Sequence, residues 1–518
     1  MSVHVVSAAQ AAALEAAAIA AGRSSRQLMR AAGCAAAALA VERYPLEVER
    51  GVAIFVGPGN NGGDAWVVAG ELARRGVRVR VAEAATARTP DALAERETAS
   101  SMLQHATPDG TEGLLIDGLL GTGARGAPGG AIAAAIERIM VGRASTAPGV
   151  PSARVLSLDV PSGLDATSGR TPGAFVRADL TVTFGSLKRG LLVHRAAAGA
   201  IAVVEIGLGA ADAADIAILM DVAGVRRTVP VIPADAHKGT RKRLLVVGGG
   251  AGMAGAPVLA ARGALRSGIG MVKLCVARQS ITAVQAMEPV ATAEPWPESD
   301  AEIRQLLGWA QVLLLGPGLG TAPQALSLAE RLLAAWDGPV VLDADALRAF
   351  DDHAADLAPL LGHRTAILTP HAVEFARLAG VTVDEVNDRR FEIASELART
   401  ARATVLLKGV PTVISDGRRT LVSASGTPVL ATAGSGDVLG GIAATLLAQC
   451  SDSPDGVVHA AASAAWIHGR AAALAAGNHV RGVVLDDVIA SLRDAWRLDA
   501  DADPPPVLAQ LSAVGERR

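Results

Sequence analysis

The 518-residue chain predicts an α/β protein with two parallel-sheet domains in succession. Three observations carry that expectation. Short runs of Val, Ile and Leu recur along the whole chain, as parallel strands buried on both faces require. Helical patterns separate most of them, the alternation of a three-layer αβα domain. Several runs end on glycine or on a carboxylate, at the strand ends where open parallel sheets bind ligands. A prior of roughly 150 residues per domain gives about three domains and also allows two large ones.

The first 45 residues are Ala-rich and read as two helices broken near Gly22, with Ser24 or Ser25 capping the second. Strands are predicted at 52–56, 77–81, 114–117, 155–159, 180–184 and 201–206, with a helix at 65–75. Residues 208–242 change character and read as a linker. Arg226, Arg227, Lys238, Arg241, Lys242 and Arg243 cluster there and are taken as a solvated face. A second series follows, with strands at 243–247, 271–276, 312–315, 340–343, 366–369, 404–407, 412–415 and 420–423. Long helices are expected at 437–450 and 457–476, and the last stretch, with its Asp499-Ala-Asp-Ala-Asp-Pro-Pro-Pro506 run, reads as a frayed tail. The expected units are 1–225, 226–498 and the tail 499–518.

Composition narrows the function classes. Apolar residues make up 50% of the chain and charged residues 19%, which excludes a disordered protein. Mean hydropathy is +0.34, yet the longest charge-poor stretch, 305–329, is broken by Gly316-Pro317-Gly318 and Pro323 and reads as strand, turn and helix rather than a membrane span. No basic segment followed by an apolar one opens the chain, so no secretory signal is expected. A net charge of −3 argues against nucleic acid as a partner. Cys34, Cys275 and Cys450 are far apart and form no metal-binding spacing, as in a reduced cytoplasmic protein.

In the first half, Gly57-Pro-Gly-Asn60-Asn61-Gly62-Gly63-Asp64 lies between a strand and a helix. Such a glycine loop lets backbone approach a ligand, and a helix start offers N–H groups to an anion. Taken alone it is also a plain tight turn, but three polar side chains exceed what a turn needs. Two more strand ends carry acids. Asp117 leads into Gly118-Leu-Leu-Gly121-Thr122-Gly123, and Asp159 into Val160-Pro161-Ser162-Gly163-Leu164-Asp165. These three motifs, in this order, resemble the NAD(P)H-hydrate epimerase domain over about residues 1–220. The resemblance implies a Rossmann-like fold. It implies that Asn61, Asp117 and Ser162 help hold a potassium ion, whose hardness suits oxygen ligands. It also implies that Asn60, Asn61, Gly62, Gly63 and Asp64, with Gly121, Thr122, Gly123, Ala124, Arg125, Gly126 and Ala127, hold the hydrated dinucleotide, with Asp159 as acid/base. Ala65 stands where the family usually has glycine, which bears on the pocket's shape.

In the second half the sharpest motif is Ala433-Gly-Ser-Gly436-Asp437-Val-Leu-Gly440-Gly441. A loop feeding a helix start suits a developing phosphoryl charge, and Asp437 is placed to take a proton from an attacking hydroxyl. An N-capping Asp after a turn is the plain alternative, which leaves the surrounding glycines without a role. Lys408-Gly409-Val410-Pro411-Thr412 links two strands, and Thr369-Pro-His371-Ala-Val-Glu374 follows another. With Lys238-Gly239, the glycines at 248–250, Gly252-Met-Ala-Gly-Ala256 and Gly316-Pro-Gly318-Leu-Gly, the set resembles the ADP-dependent NAD(P)H-hydrate dehydratase over about 230–495, a ribokinase-like fold. The resemblance implies that Ala256, Gly318, His371 and Asp437 face the hydrate. Lys408, Gly409, Val410, Pro411, Thr412 and Gly436 would bind the adenine nucleotide, and Glu374 would order Mg²⁺ through water.

Together the two halves predict a bifunctional repair enzyme. The first would interconvert R- and S-NAD(P)HX, and the second would dehydrate the S form to NADH or NADPH with ADP or ATP. A ribokinase-like kinase for a small alcohol, such as a vitamin precursor, fused to a non-catalytic scaffolding domain is the rival. A homo-oligomer of unspecified size is expected.

Overall fold

The computed structural model describes residues 3–103, 107–144, 151–208, 216–450, 456–477, 479–498 and, as backbone, 507–511. Two compact units emerge, Met1–Ile216 with Pro505–Arg518, and Ala217–Pro504.

The first unit opens with β1 (His4–Val6) and contains β2 (Val52–Val56), β3 (Val79–Glu83), β4 (Leu114–Gly118), β5 (Arg154–Leu158), β6 (Leu180–Phe184), β7 (Leu187–Lys188) and β8 (Ala200–Val204). The main sheet runs β8-β6-β5-β4-β2-β3 and is parallel throughout. Alternate residues of each strand point to opposite faces, which yields two cores. Ile54, Ile116, Leu156 and Val182 pack with the helices Ser25–Arg43 and Asn60–Arg74. Phe55, Leu115 and Val155 pack with Ile136 and Ile139 of the helix Gly130–Ala144. Ser24 caps Ser25–Arg43 in a capping box with Gln27, as the sequence suggests. The short strand β1 pairs in parallel with β7, setting Val6 opposite Lys188.

The second unit holds β9 (Ala217–Leu219), β10 (Arg243–Val247), β11 (Met271–Val276), β12 (Thr292–Pro295), β13 (Val312–Leu315), β14 (Val340–Leu342), β15 (Ala366–Leu368), β16 (Thr404–Leu407), β17 (Thr412–Ser415) and β18 (Thr420–Ser423). Its sheet runs β12-β11-β10-β13-β14-β15-β16-β17-β18-β9. Only the β16-β17-β18 meander is antiparallel. Leu244, Val246, Leu274 and Leu314 pack with the helices Gly255–Arg266, Ser435–Cys450 and Gly456–Ala476. Leu245, Val247, Leu313 and Leu315, on the opposite face, are equally buried. Two of those helices cross closely, since a Cβ on Gly441 would strike the Ala260 carbonyl and one on Gly263 the Val438 carbonyl. Positive hydropathy therefore reflects two doubly covered sheets. Among the described residues no helix is long and apolar enough to cross a membrane.

The structure departs from the sequence-based expectations in several places. The units divide at 216/217, upstream of 225/226, because β9 pairs with β18 and Val222 and Val225 join the second core. The strand expected at 77–81 is β3, two residues later. The helix expected at 65–75 begins at Asn60, so the polar loop is a helical turn. The tail is also not wholly frayed. Its strand β19 (Val507–Leu511) pairs in parallel with β8 and extends the first sheet.

Candidate active sites

In the first unit, a cavity of about 560 Å³ opens at the carboxyl ends of the parallel strands. Asn60, Asn61, Asp64, Gly121, Thr122, Gly123, Ala124 and Asp159 line it, so most of the expected residues converge. Gly62 and Gly63 do not. A Cβ on Gly62 would overlap the Gly57 carbonyl, and Gly63 lies against Met29, so both glycines allow close packing of the helix start. Arg125, Gly126 and Ala127 also lie off the cavity, and Arg125 donates to the carbonyls of Thr122 and Ala124. Ala65 is fully buried among core residues, with Gly118 leaving room for its methyl, so it does not shape the cavity wall.

Asp159 follows β5 with φ +62, a left-handed conformation uncommon for a residue with a side chain. Its Oδ1 lies 2.6 Å from Lys188 Nζ and accepts a hydrogen bond from Thr183 Oγ1. Lys188 is only 3% exposed and also donates to the Phe184 carbonyl. Burial pushes the Asp64 carboxyl well above its ordinary range, and the neighbouring Asp159 adds to this. Glu15, on the helix Ala8–Ala20, is raised by burial and then by Asp159. One lysine thus faces three carboxyl groups across one cavity. Three buried oxygens on lining residues have no hydrogen-bond partner, namely Asn61 Oδ1, Thr89 Oγ1 and Ser186 Oγ. Orphaned polar atoms in a cavity call for a polar ligand.

Asp117 and Ser162 form a closed cluster beneath this cavity. Asp117 accepts from Ser162 Oγ at 2.6 Å, Ser162 N at 2.8 Å, Ser157 Oγ at 2.9 Å and Leu119 N at 3.3 Å. Burial raises its pKa, and these hydrogen bonds oppose the rise. The Leu120 backbone ties the group to Asn61, its N–H donating to Ser162 Oγ and its carbonyl accepting from Asn61 Nδ2.

In the second unit, Asp437 lies in the first turn of Ser435–Cys450. Its pKa is pushed up to about 7, first by burial and then by Asp343, with Lys408 pulling it down. Asp343, at the end of β14, is 1% exposed and binds Lys408 Nζ at 2.9 Å. Glu374 Oε2 is 3.6 Å from the same ammonium. Burial opposes the charge on Lys408, but Asp343 and Glu374 outweigh it and raise the pKa. The lysine head is therefore committed to carboxylates. Gly436 sits against that head, 3.3 Å from where its missing Cβ would lie, and Gly440 stands similarly near Asp343. Gly441 is a helix-packing glycine, so the glycines around Asp437 do not share one role.

His371 caps the helix Ala372–Ala379, its Nδ1 accepting from the N–H groups of Val373 and Glu374, while Glu374 Oε2 accepts from the His371 N–H. The imidazole is half exposed. Ala256 and Gly318 adjoin one another, a Cβ on Gly318 falling 3.0 Å from that of Ala256. Arg390, absent from the sequence reading, donates to the carbonyls of Lys408 and Pro411 and stacks where a Gly409 side chain would be. Among the described residues no group of three or more His, Cys, Asp or Glu side chains forms a metal cage.

Residues 25–190 match the family described as the YjeF-related protein N-terminus, and residues 244–493 match NAD(P)H-hydrate dehydratase. The chain is 37% identical over 460 residues to the bifunctional NAD(P)H-hydrate repair enzyme Nnr of Moorella thermoacetica, covering 82% of each protein. It is 34% identical over 497 residues to Nnr of Coxiella burnetii, covering 93% of this chain and 96% of that one. The ADP/ATP-dependent NAD(P)H-hydrate dehydratase of Bacillus subtilis, co-crystallised with ATP/Mg²⁺, is 29% identical, with a TM-score of 0.46, over 54% of this chain and 98% of its own. With two domain matches in this order and relatives alike over most of their length, the chain belongs to the family of bifunctional NAD(P)H-hydrate repair enzymes, an epimerase and a nucleotide-dependent dehydratase in one polypeptide.

Proposed function

We propose that Asp159 carries the epimerase chemistry and Asp437 the dehydratase chemistry. The observation that carries this reading is that each is the carboxylate of a buried lysine-centred cluster. Asp159 pairs with Lys188, and Asp437 adjoins Lys408 and Asp343.

In the epimerase the hydrate's hydroxyl sits on a carbon next to the ring nitrogen. Protonated by the Asp159 carboxyl, it departs as water while the nitrogen lone pair supports the cation left behind. Water returns to the other face and gives its proton back to Asp159. Lys188 and Thr183 hold the carboxylate, and the backbone at 121–124 and Asn60 frame the substrate. Potassium fits the group Asn61, Asp117 and Ser162. Asn61 Oδ1 is a buried oxygen without a donor, and Asp117 is a buried carboxylate bonded by neutral groups alone. The ion would supply fixed positive charge to this site.

In the dehydratase Asp437 takes the proton of the ring hydroxyl as its oxygen attacks the terminal phosphoryl group of ADP or ATP. The C–O bond then breaks with loss of phosphate while the ring nitrogen's lone pair supports the cation left behind, and the adjacent ring carbon gives up a proton to the departing phosphate, so that S-NAD(P)HX becomes the dihydropyridine of NAD(P)H. Amides at the start of Ser435–Cys450, with Gly436, receive the transferring charge. Ala256, Gly318 and His371 line the hydrate's side, and Lys408 to 412 the nucleotide's. Mg²⁺ would neutralise phosphate charge. Among the described residues no group of three acidic or imidazole side chains could cage the ion, so it would be held as an outer-sphere partner through Glu374 and water. A cytoplasmic location, where reduced nicotinamide cofactors turn over, is compatible with this reading.

Asp437→Asn tests the assignment. Dehydration should be lost while epimerisation proceeds, and dehydration at the wild-type rate would refute it.

A further inference from the structure

The second unit holds another cavity, of about 610 Å³, that neither reaction uses. Arg226, Arg241, Arg266 and Arg493 line it, and no Asp or Glu does. Arg226, Arg266 and Arg493 have no carboxylate partner among the described residues, and Arg241 donates to the Gly268 carbonyl. The rest of the wall is mostly apolar, with Val229, Ile232, Leu265 and the Trp496 ring, and Ser267 and Gln449 add neutral polar groups. Val231 beside them is 89% exposed. The indole N–H of Trp496 is buried and without an acceptor.

Part of this charge has a structural use. Arg226, Arg266 and Arg493 occupy the last turns of Val222–Thr228, Gly255–Arg266 and Leu485–Ala495, and Gln449 brings in the end of Ser435–Cys450. Each helix end carries about half a negative charge, so four ends offset only about two of the four guanidinium groups. A net positive, aromatic-walled cavity remains. It is also remote from the reaction. Asp437 and Gln449 stand at opposite ends of one helix, about 18 Å apart at the rise of an α-helix. Ala256 and Leu265 are likewise separated along Gly255–Arg266.

We propose that this cavity is a second, non-catalytic binding site for an aromatic organic phosphate, the guanidinium groups taking the phosphate and Trp496 the ring. The basic cluster around 226–241 is then part of a site, not merely a solvated face.

The test is calorimetric titration of 1-naphthyl phosphate into the full-length protein, its Arg266→Gln/Arg493→Gln double variant and the single variant Arg493→Gln. Thermal melting verifies that each variant is folded, and the single one serves if the double one is not. Wild type should bind saturably at one site, with affinity lower by on the order of tenfold per arginine removed. Uncharged 1-naphthol should bind much more weakly, and the KM for ADP should not move. Equal affinity in wild type and the folded variants, or no binding at about 5 mM probe, would overturn the proposal. So would a variant that binds normally but changes the mass of the assembly, which would assign this face to contact between copies.

Discussion

The dehydratase rate should titrate with Asp437. Burial and Asp343 raise its carboxyl to about 7, so if Asp437 is the base, as proposed, protonation would disable it within the physiological range. At one pH unit below that value about a tenth of the enzyme carries the ionised base, and at one unit above about nine-tenths does. The dehydratase kcat/KM for the S hydrate, followed as recovery of reduced-cofactor absorbance, should therefore fall about tenfold per unit on the acid side and level off above about pH 8. Lys408→Met removes the nearest positive charge, which lowers this pKa, and should move the limb to higher pH. The same shift has a stability signature. The folded pKa of Asp437 lies above its unfolded value, so its contribution is fully present below about pH 4 and is lost as the pH rises through about 7. Asp437→Asn should thus gain melting temperature relative to wild type at pH 8 but not at pH 4. A flat rate profile between pH 5.5 and 8.5, or a limb near the ordinary carboxylate range, would refute the reasoning.

Other outcomes follow from single contacts. Lys188→Met leaves Asp159 without its 2.6 Å partner and should cut epimerisation on the order of a hundredfold, with dehydration unchanged in the same sample. Asn61→Leu removes the orphaned oxygen and should weaken the response of epimerisation to added potassium, read as a titration of rate against KCl. Ala65→Gly should leave the epimerase KM unchanged, because the methyl faces Gly118, while costing about 1 kcal/mol in a denaturant melt. Arg390→Ala frees the carbonyls of Lys408 and Pro411 and should raise the KM for nucleotide more than it lowers kcat.

The parallel strands were legible because each is a compact apolar run, and β2, β6, β11, β13 and β16 to β18 begin and end where the sequence places them. Strand-end acids were legible for the same reason, Asp117 and Asp159 being the first polar residues after such runs. Asp343 has the same signature and went unused. What stayed hidden depends on the third dimension. Lys188 belongs to a two-residue strand and meets Asp159, far back in the sequence, only in the folded chain. Glu15 sits in an Ala-rich helix whose pattern gives no sign of a cavity. The early start of Asn60–Arg74 was obscured by its Asn and Gly residues, poor helix formers that packing overrides. The strand β19 was masked by the Asp- and Pro-rich run before it. Arg390 acts through its guanidinium on distant carbonyls, which no local motif announces.

Two activities share this chain, and the proposed assignment gives each its own aspartate. The most direct test of that assignment is recovery of reduced cofactor from a mixture of R- and S-NADHX with ADP or ATP, compared among wild type, Asp159→Asn and Asp437→Asn. Wild type should return both epimers. Asp159→Asn should return the S share rapidly and the R share only at the uncatalysed exchange rate, and Asp437→Asn should return neither. Equal recovery of both epimers by Asp159→Asn, or a phosphorylated hydrate that accumulates in wild type without elimination, would contradict it.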